Sequence, residues 1–481
     1  MKLLKIPVFR LVLLLLYLFS LFSGKAQLAD KAKHIEIAED IKKEYNAKNF
    51  KVLYDLLDSD FQKQMNEKEL GDFFKFNIYD YYGNIISLNY TDQKASFHTF
   101  LVNLEKGKLD LQLSCNTNGK ISGMQWLPHK ETSSASKVNS YYLSDNAKTS
   151  FWDLKVDSIV KNYMLNADNC GLSIAIINNN ETLYYNYGQT KRKSNQLPNN
   201  KTIYEIGSIS KTFTGILLAQ AIYDKKLELN DDIRKYLPGG YKNLEYKGKK
   251  IEIVHLANHT SRIPRVPSDM AQQKDYDPKN PYKNYNKEMV FNYLKTVVID
   301  TLPGVKNEYS NLGMALLGII LEKVYNKPYE ELVQEFICKP FNMPNTKVNL
   351  NAEEEKNFAT GYDSNGEEAT HWDLGDLAAA GGIRSTTSDM VNYVNANMNE
   401  SNASVKLAHT STFNDGRNNT GLAWQILTTK KSNELIWHNG GTFGFVSFCG
   451  FIKSKKCGVV VLSNAANSVD YIALGILKLL Q

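Results

Sequence analysis

Cysteine is scarce in this 481-residue chain. The five present, Cys115, Cys170, Cys338, Cys449 and Cys457, are scattered and odd in number. They form no CxxC pair and no Cys/His grouping at zinc spacing, so no disulfide framework is visible and at least one thiol stays unpaired within a monomer. A bilayer-spanning run is also missing. The apolar run from residue 11 to 22 is 12 residues long, short of the roughly 20 that a spanning helix needs. Charge of one sign is nearly missing as well. The formal net charge of +6 includes Lys2, Lys5, Arg10 and Lys25. Without those four, 53 basic residues face 51 acidic ones, which leaves no basic surface to argue for nucleic acid.

What is present begins with an export signal. Lys2, Lys5 and Arg10 precede the apolar run, and Gly24 and Ala26 supply small residues for cleavage before Gln27. The pattern predicts a cleaved signal peptide over 1–26, with an uncleaved membrane anchor as the alternative. No cysteine stands at the cleavage point, so no lipoprotein anchor is expected. The mature protein is expected to be exported, to the periplasm or outside the cell, with no stable membrane span.

Three blocks follow. Residues 28–128 combine a stretch of helical apolar spacing, "AKHIEIAEDIKKEYNAKNFKVLYDLL", with strand-like runs and a turn at Thr117-Asn118-Gly119, which predicts a small α+β domain. Its pattern resembles the helix-plus-curved-sheet accessory domains fused to exported hydrolases. Its ligand is not legible. Residues 129–147 are polar and serine-rich and read as a linker. The third block, 148–481, has strand-like ends and a helical middle from about 205 to 400. "CGLSIAIINNNETLYYNYGQT" is one expected hairpin, and "GFVSFCGFIKSKKCGVVVLSNA", turning near Ser454-Lys455, is another. An α/β sandwich with an inserted helical subdomain is expected.

Chemistry concentrates in three places. "YEIGSISKTFTG" carries Ser208 and Lys211 three positions apart, which on a helix puts them on one face. Serine is a weak nucleophile without a base, and lysine serves as one when burial or nearby positive charge disfavours its ammonium form. A helix start also offers N–H groups to an oxyanion. The plainer reading makes Ser208 only an N-cap. "YSNLGMALLG" carries Tyr309, Ser310 and Asn311, with a phenol to relay a proton and an amide to hold a carbonyl or orient the lysine. It reads equally as a capped helix start. "WHNGGTFGFVSF" brings His438, Asn439, Gly440 and Gly441 into a strand, where glycines admit a substrate close to an edge strand; His438 reads as a substrate contact or a help in proton transfer, or else as a structural histidine.

In this order the motifs SxxK, YxN and HxG resemble those of the serine β-lactamase and penicillin-binding-protein superfamily, nearest its class C-like branch. "HLANHTSRIP", "AAGGIRSTTSDM" and "GLAWQI" match flanking segments, and the resemblance covers about 330 residues. It implies a β-lactamase-like antiparallel sheet flanked by helices. It also implies an acyl-enzyme on Ser208, Lys211 as base, Tyr309 as proton relay, Asn311 against substrate, and an oxyanion hole from the amides of Ser208 and Gly441. Neither metal nor organic cofactor is implied.

Two departures bear on substrate. His438 replaces the family's lysine before Gly440, a change found in relatives acting as esterases, amidases or D-amino-acid peptidases. Arg262 replaces a glycine. The pair His255 and His259 has zinc-like spacing, but Leu256 stands where HExxH needs glutamate. An exported serine hydrolase of small molecules or short peptides is expected. The alternatives are a true β-lactamase or DD-peptidase, and a non-catalytic binder or sensor that keeps the fold.

Overall fold

The computed structural model describes residues 30–63, 65–79, 82–94, 96–129, 142–179 and 181–481. The leader expected over 1–26 and most of the linker expected over 129–147 lie outside them. The chain divides into two compact units, within residues 1–134 and 135–481. No helix among the described residues is long and apolar enough to cross a membrane.

In the first unit, a helix over 30–46 (α1) buries Ile37, Ala38, Ile41 and Tyr45, a stripe of helical period. It packs on a four-stranded antiparallel meander, β1 (Ile85–Lys94), β2 (Phe97–Leu104), β3 (Gly107–Cys115) and β4 (Ile121–Pro128). Phe100, Val102 and Leu104 face the core from β2, and Leu109, Leu111 and Leu113 from β3, the period of two of a one-sided sheet. The helical stretch read in the sequence is not one helix. It breaks at Lys48, which holds a left-handed φ of 57°, and resumes at Phe50–Asp55. Asn46 accounts for the break: its amide bonds the Ile85 carbonyl at 2.9 Å and accepts from the Ile85 N–H at 2.8 Å, which fixes the helix end to β1.

The second unit starts with α2 (Phe151–Leu165) and the hairpin β5 (Gly171–Asn178) and β6 (Glu181–Gly188). Helices α3 (Ser210–Tyr223), α4 (Asn311–Tyr325) and α5 (Thr387–Met398) fill its middle. Strands β7 (Phe413–Asn414), β8 (Asn419–Thr420), β9 (Gln425–Thr428), β10 (Glu434–Gly441), β11 (Val446–Ile452) and β12 (Cys457–Ser463) follow, and α6 (Asp470–Leu480) ends it. All eight strands form one antiparallel sheet in the order β7-β8-β9-β10-β11-β12-β5-β6. The two ends of the block therefore meet at the β12–β5 pairing, Val460 opposite Ala175.

Both sheet faces are covered. Leu172, Ile174 and Ile176 of β5 and Val459 and Val461 of β12 meet Val160 of α2 and Ile472 and Ile476 of α6. The intervening Ala175, Ile177, Val460 and Leu462 meet the helical subdomain. Strand β12 is buried at every residue, which is why it reads as an unbroken apolar run rather than an alternating one. Each such Val or Leu contributes about 1.5–3 kcal/mol of burial. Helix α4 is buried from Leu312 to Leu321, an all-round apolar helix at the centre of its subdomain. It starts where the Ser310 hydroxyl accepts from the Gly313 N–H at 2.8 Å, and stops at Asn326 in the left-handed region.

Candidate active site

Ser208 is not a helix cap. It sits in a single 3-10 turn, Gly207–Ile209, that leads into α3, and no side chain caps that helix. The turn depends on glycine. Gly207 has a φ of 50°, and a Cβ there would lie 2.6 Å from the Gly441 nitrogen. From the other side, a Cβ on Gly440 would lie 2.1 Å from the Ile206 carbonyl oxygen and 2.9 Å from the Ser208 nitrogen. Two glycines thus let β10 run directly against the serine turn, and the Ser447 hydroxyl ties β11 to it through the Ile206 carbonyl at 2.8 Å. The expectation of an edge strand needs correcting. Strand β10 is interior, but β9 pairs with it only as far as Trp437, so His438 to Gly441 run past their partner and offer a free edge.

Lys211 is fully buried. Its Nζ donates to Ser208 Oγ at 2.9 Å and to the Ala380 carbonyl at 2.5 Å. Burial, helped by the positive Arg265, holds its pKa well below the usual lysine range, the condition under which a lysine takes a proton rather than keeping one. Tyr309 lies alongside, its ring 4.8 Å from Lys211 Nζ and 5.0 Å from the Arg265 guanidinium carbon. Burial pushes the phenol up to about 12, against the opposing pull of the Ser208 hydroxyl and Arg265. Asn311 opens α4, donates to the Tyr282 hydroxyl at 3.1 Å and keeps an unpartnered amide oxygen.

His438 is 3% exposed and lies behind the cleft wall rather than in it. Its Nδ1 is 2.5 Å from the Asn439 carbonyl, while Nε2 is buried without a partner. Burial and the neighbouring Lys211 bring its pKa down to about 4, so the imidazole is neutral. His255 and His259 do not form a pair of ligands. His259 lies beyond the short helix Ile253–Ala257 with a φ of 61° and packs against Tyr309, ring centres 4.4 Å apart and planes tilted by 38°, while His255 accepts from the Glu252 N–H. Arg262 holds a left-handed φ of 66°, suited to the glycine it replaces, and spends its charge on Asp300 and Glu308.

Two lobes open beside Ser208. The larger, about 460 Å³, is walled by Arg265, Tyr309, Asn439, Gly440 and Gly441, with Ser468 and Asp470 at the start of α6. The smaller, about 160 Å³, is walled by Arg265, Tyr282, Asn311 and Trp372 among others. Sequence reasoning missed Arg265, Tyr282, Trp372 and Asp470. They come from loops and from the last helix, and no local motif marks them.

Among the described residues, one His/Asp group has metal-like proximity: Asp30, His34 and His98 in the first unit. His98 Nε2 is 3.0 Å from Asp30 Oδ2, and the two rings stack at 3.7 Å with planes 20° apart. Zinc sits about 2.0–2.1 Å from each imidazole nitrogen, in line with its lone pair. Two rings stacked nearly parallel do not aim their lone pairs at one such point, so the contacts describe a hydrogen-bonded histidine stack.

The model of the Beta-lactamase family matches residues 156–480. The chain belongs to that family. A β-lactamase of Pseudomonas fluorescens is 27% identical over 346 residues, 64% of this chain and 92% of its own length. The D-alanyl-D-alanine-carboxypeptidase/endopeptidase AmpH of Escherichia coli K12 is 25% identical, over 61% of this chain and 78% of its own. A class C β-lactamase structure superposes with a TM-score of 0.59 at 26% identity, covering 68% of this chain and 96% of that one. This β-lactamase-family protein is a serine hydrolase of the SxxK type, with a small α+β domain ahead of the catalytic fold.

Proposed function

We propose that Ser208 is the nucleophile of an acyl-enzyme mechanism acting on small esters, amides or short D-amino-acid peptides. The observation that carries this reading is Lys211, buried, without a carboxylate partner and 2.9 Å from Ser208 Oγ. The Ser208 proton passes to Lys211 Nζ as Oγ bonds to the substrate carbonyl carbon. The carbonyl oxygen takes the charge between the amides of Ser208 and Gly441, the first at a helix start and the second on the free end of β10. As the scissile bond breaks, the leaving group takes a proton from the Lys211–Tyr309 pair, and water then cleaves the acyl-serine by the reverse relay. Asn311 offers its free amide oxygen to the substrate. Arg265, which lines both lobes, supplies the local positive charge; Arg262 does not, being paired elsewhere.

The preference for esters and amides over β-lactams rests on charge. The family's lysine before Gly440 is here a neutral, buried His438, so the positive charge has moved off β10 to Arg265 over the Tyr309 ring, away from the family's position for a substrate carboxylate. The rival β-lactamase or DD-peptidase activity draws support from the relatives' own names. Turnover of nitrocefin compared with p-nitrophenyl esters separates the two, and nitrocefin turnover with kcat/KM of about 10⁶ M⁻¹s⁻¹ or more would replace this reading with the β-lactamase one. A fluorophosphonate that fails to label Ser208 would favour the non-catalytic binder. We also place the mature protein outside the cytoplasm, on the leader at residues 1–26. N-terminal sequencing of the secreted form should begin near Gln27.

A further inference from the structure

The cleft beside Ser208 is polarised. Its cation, Arg265, lies over the Tyr309 ring where the two lobes meet. Its anion, Asp470, lines only the larger lobe, at the first residue of α6. Asn439, on the free end of β10, donates to Asp470 Oδ2 at 3.0 Å and so fixes the carboxylate against the strand. No Lys, Arg or His among the described residues pairs with Asp470, and no Asp or Glu pairs with Arg265. The rest of that wall is uncharged: Ser468, Val469, Ala466, Val446 and the glycines of β10. The nearest titratable neighbour along β10, His438, is buried and neutral.

A first-turn aspartate is also a common way to favour a helix start. That role needs neither the bond to Asn439 nor a place in the lining of the cleft. With both present, a substrate carboxylate beside Asp470 would meet a fixed negative charge, while the lobe's cation, Arg265, stands over the Tyr309 ring and does not pair with Asp470. A positive group would meet an oriented, half-buried carboxylate, where an ion pair is screened less than on an open surface.

We propose that the larger lobe receives an ammonium group of the substrate, with Asp470 as its counter-ion and Asn439 as the positioning residue. This rests on the reading of Ser208 as nucleophile and adds to it the substrate class: small esters or amides that carry a positive charge on one side of the scissile bond.

The test uses matched esters on the full chain. Butyrylcholine is compared with its uncharged isostere 3,3-dimethylbutyl butyrate and with carboxymethyl butyrate, which places charge on the alcohol side. The p-nitrophenyl esters of 4-trimethylammoniobutyrate, 5,5-dimethylhexanoate and glutarate do the same on the acyl side. kcat/KM is measured on the wild type, and dissociation constants by calorimetry on Ser208→Ala, with and without Asp470→Asn. Asparagine keeps the shape and an acceptor for Asn439 while removing the charge. On one side of the ester, the cationic member should be favoured by about tenfold over its isostere, mainly through KM. That preference should vanish with Asp470→Asn and shrink in high salt. A preference for the neutral or anionic member on both sides, or a cationic preference that survives Asp470→Asn, overturns the proposal. If Asp470→Asn does not fold, the wild-type order within each set of three esters and its salt dependence decide between support and refutation. If no ester is turned over and a fluorophosphonate leaves Ser208 unlabelled, the nucleophile reading falls, while the calorimetry on Ser208→Ala still decides the charge preference.

Discussion

Lys211 Nζ reaches Ser208 Oγ at 2.9 Å from the interior of the fold, with the Ala380 carbonyl at 2.5 Å as its other partner. A lysine placed there for stability would have a carboxylate beside it, because an unpaired buried ammonium is costly. This one has instead the positive Arg265 nearby, which adds to the cost. The same arrangement disfavours the ammonium form and so favours a base next to the Ser208 hydroxyl.

Ser208→Ala should therefore lose at least about three orders of magnitude in kcat, since members of a catalytic unit are not individually dispensable. A fluorophosphonate should label Ser208 alone, read by peptide mass mapping. The nearby Ser210 is fully buried and bonded to the Ile383 N–H at 3.1 Å. Labelling there would mean that the nucleophile had been misassigned.

Lys211→Arg should not rescue activity although it keeps a positive charge, because a guanidinium does not give up its proton at working pH. In the wild type, kcat/KM should fall on the acid side as Lys211 becomes protonated, since only the free amine accepts the serine proton. An Arg variant with near-normal turnover, or a profile flat through the acid range, would remove Lys211 from the base role.

Tyr309→Phe keeps the ring that Arg265 and His259 pack against and removes only the hydroxyl. We expect kcat to drop by about 10²–10³-fold with KM little changed, the size of a lost proton-transfer group. A rise in KM at constant kcat would instead assign Tyr309 to substrate binding.

The parts legible in the sequence were those written locally. Ser208 and Lys211 are one turn apart, Ser310 caps the helix that Asn311 opens, and the glycines after His438 announce a close approach. The hairpins around Asn178 and Ser454 were visible because β5 and β12, buried on both faces, are continuous apolar runs. Other features depend on pieces distant in sequence. Asp470 enters the cleft only because α6 returns to β10, and Arg265 only because its loop folds over Tyr309. His438 looked like a substrate contact because of its motif. It is buried beside Lys211, His259 and Tyr309, which come from elements distant in sequence, and no periodicity in its own segment shows that.

Glu205 gives a test of the fold beneath the smaller lobe. It is 4% exposed, accepts from the Trp372 N–H at 2.7 Å through Oε1, and leaves Oε2 without a partner. Burial outweighs the nearby donors and the Arg384 charge and pushes its carboxyl up to about 7. The folded pKa is therefore above the unfolded value of 4.5, so between those two pH values the native state holds more protons than the unfolded one. Stability must fall as pH rises through that window, by about 3 kcal/mol once the carboxylate is fully ionised. Glu205→Gln stays neutral and keeps an acceptor for Trp372. Its urea midpoint should match that of the wild type near pH 4.5 and exceed it at pH 8. His438 and His409, whose folded pKa values are lowered to about 4, act in the opposite sense, costing stability as pH drops below the usual histidine range. Because they titrate in both proteins, the difference between the two curves isolates Glu205. Curves that run parallel from pH 4.5 to 8 would show that this carboxyl is already ionised in the native state.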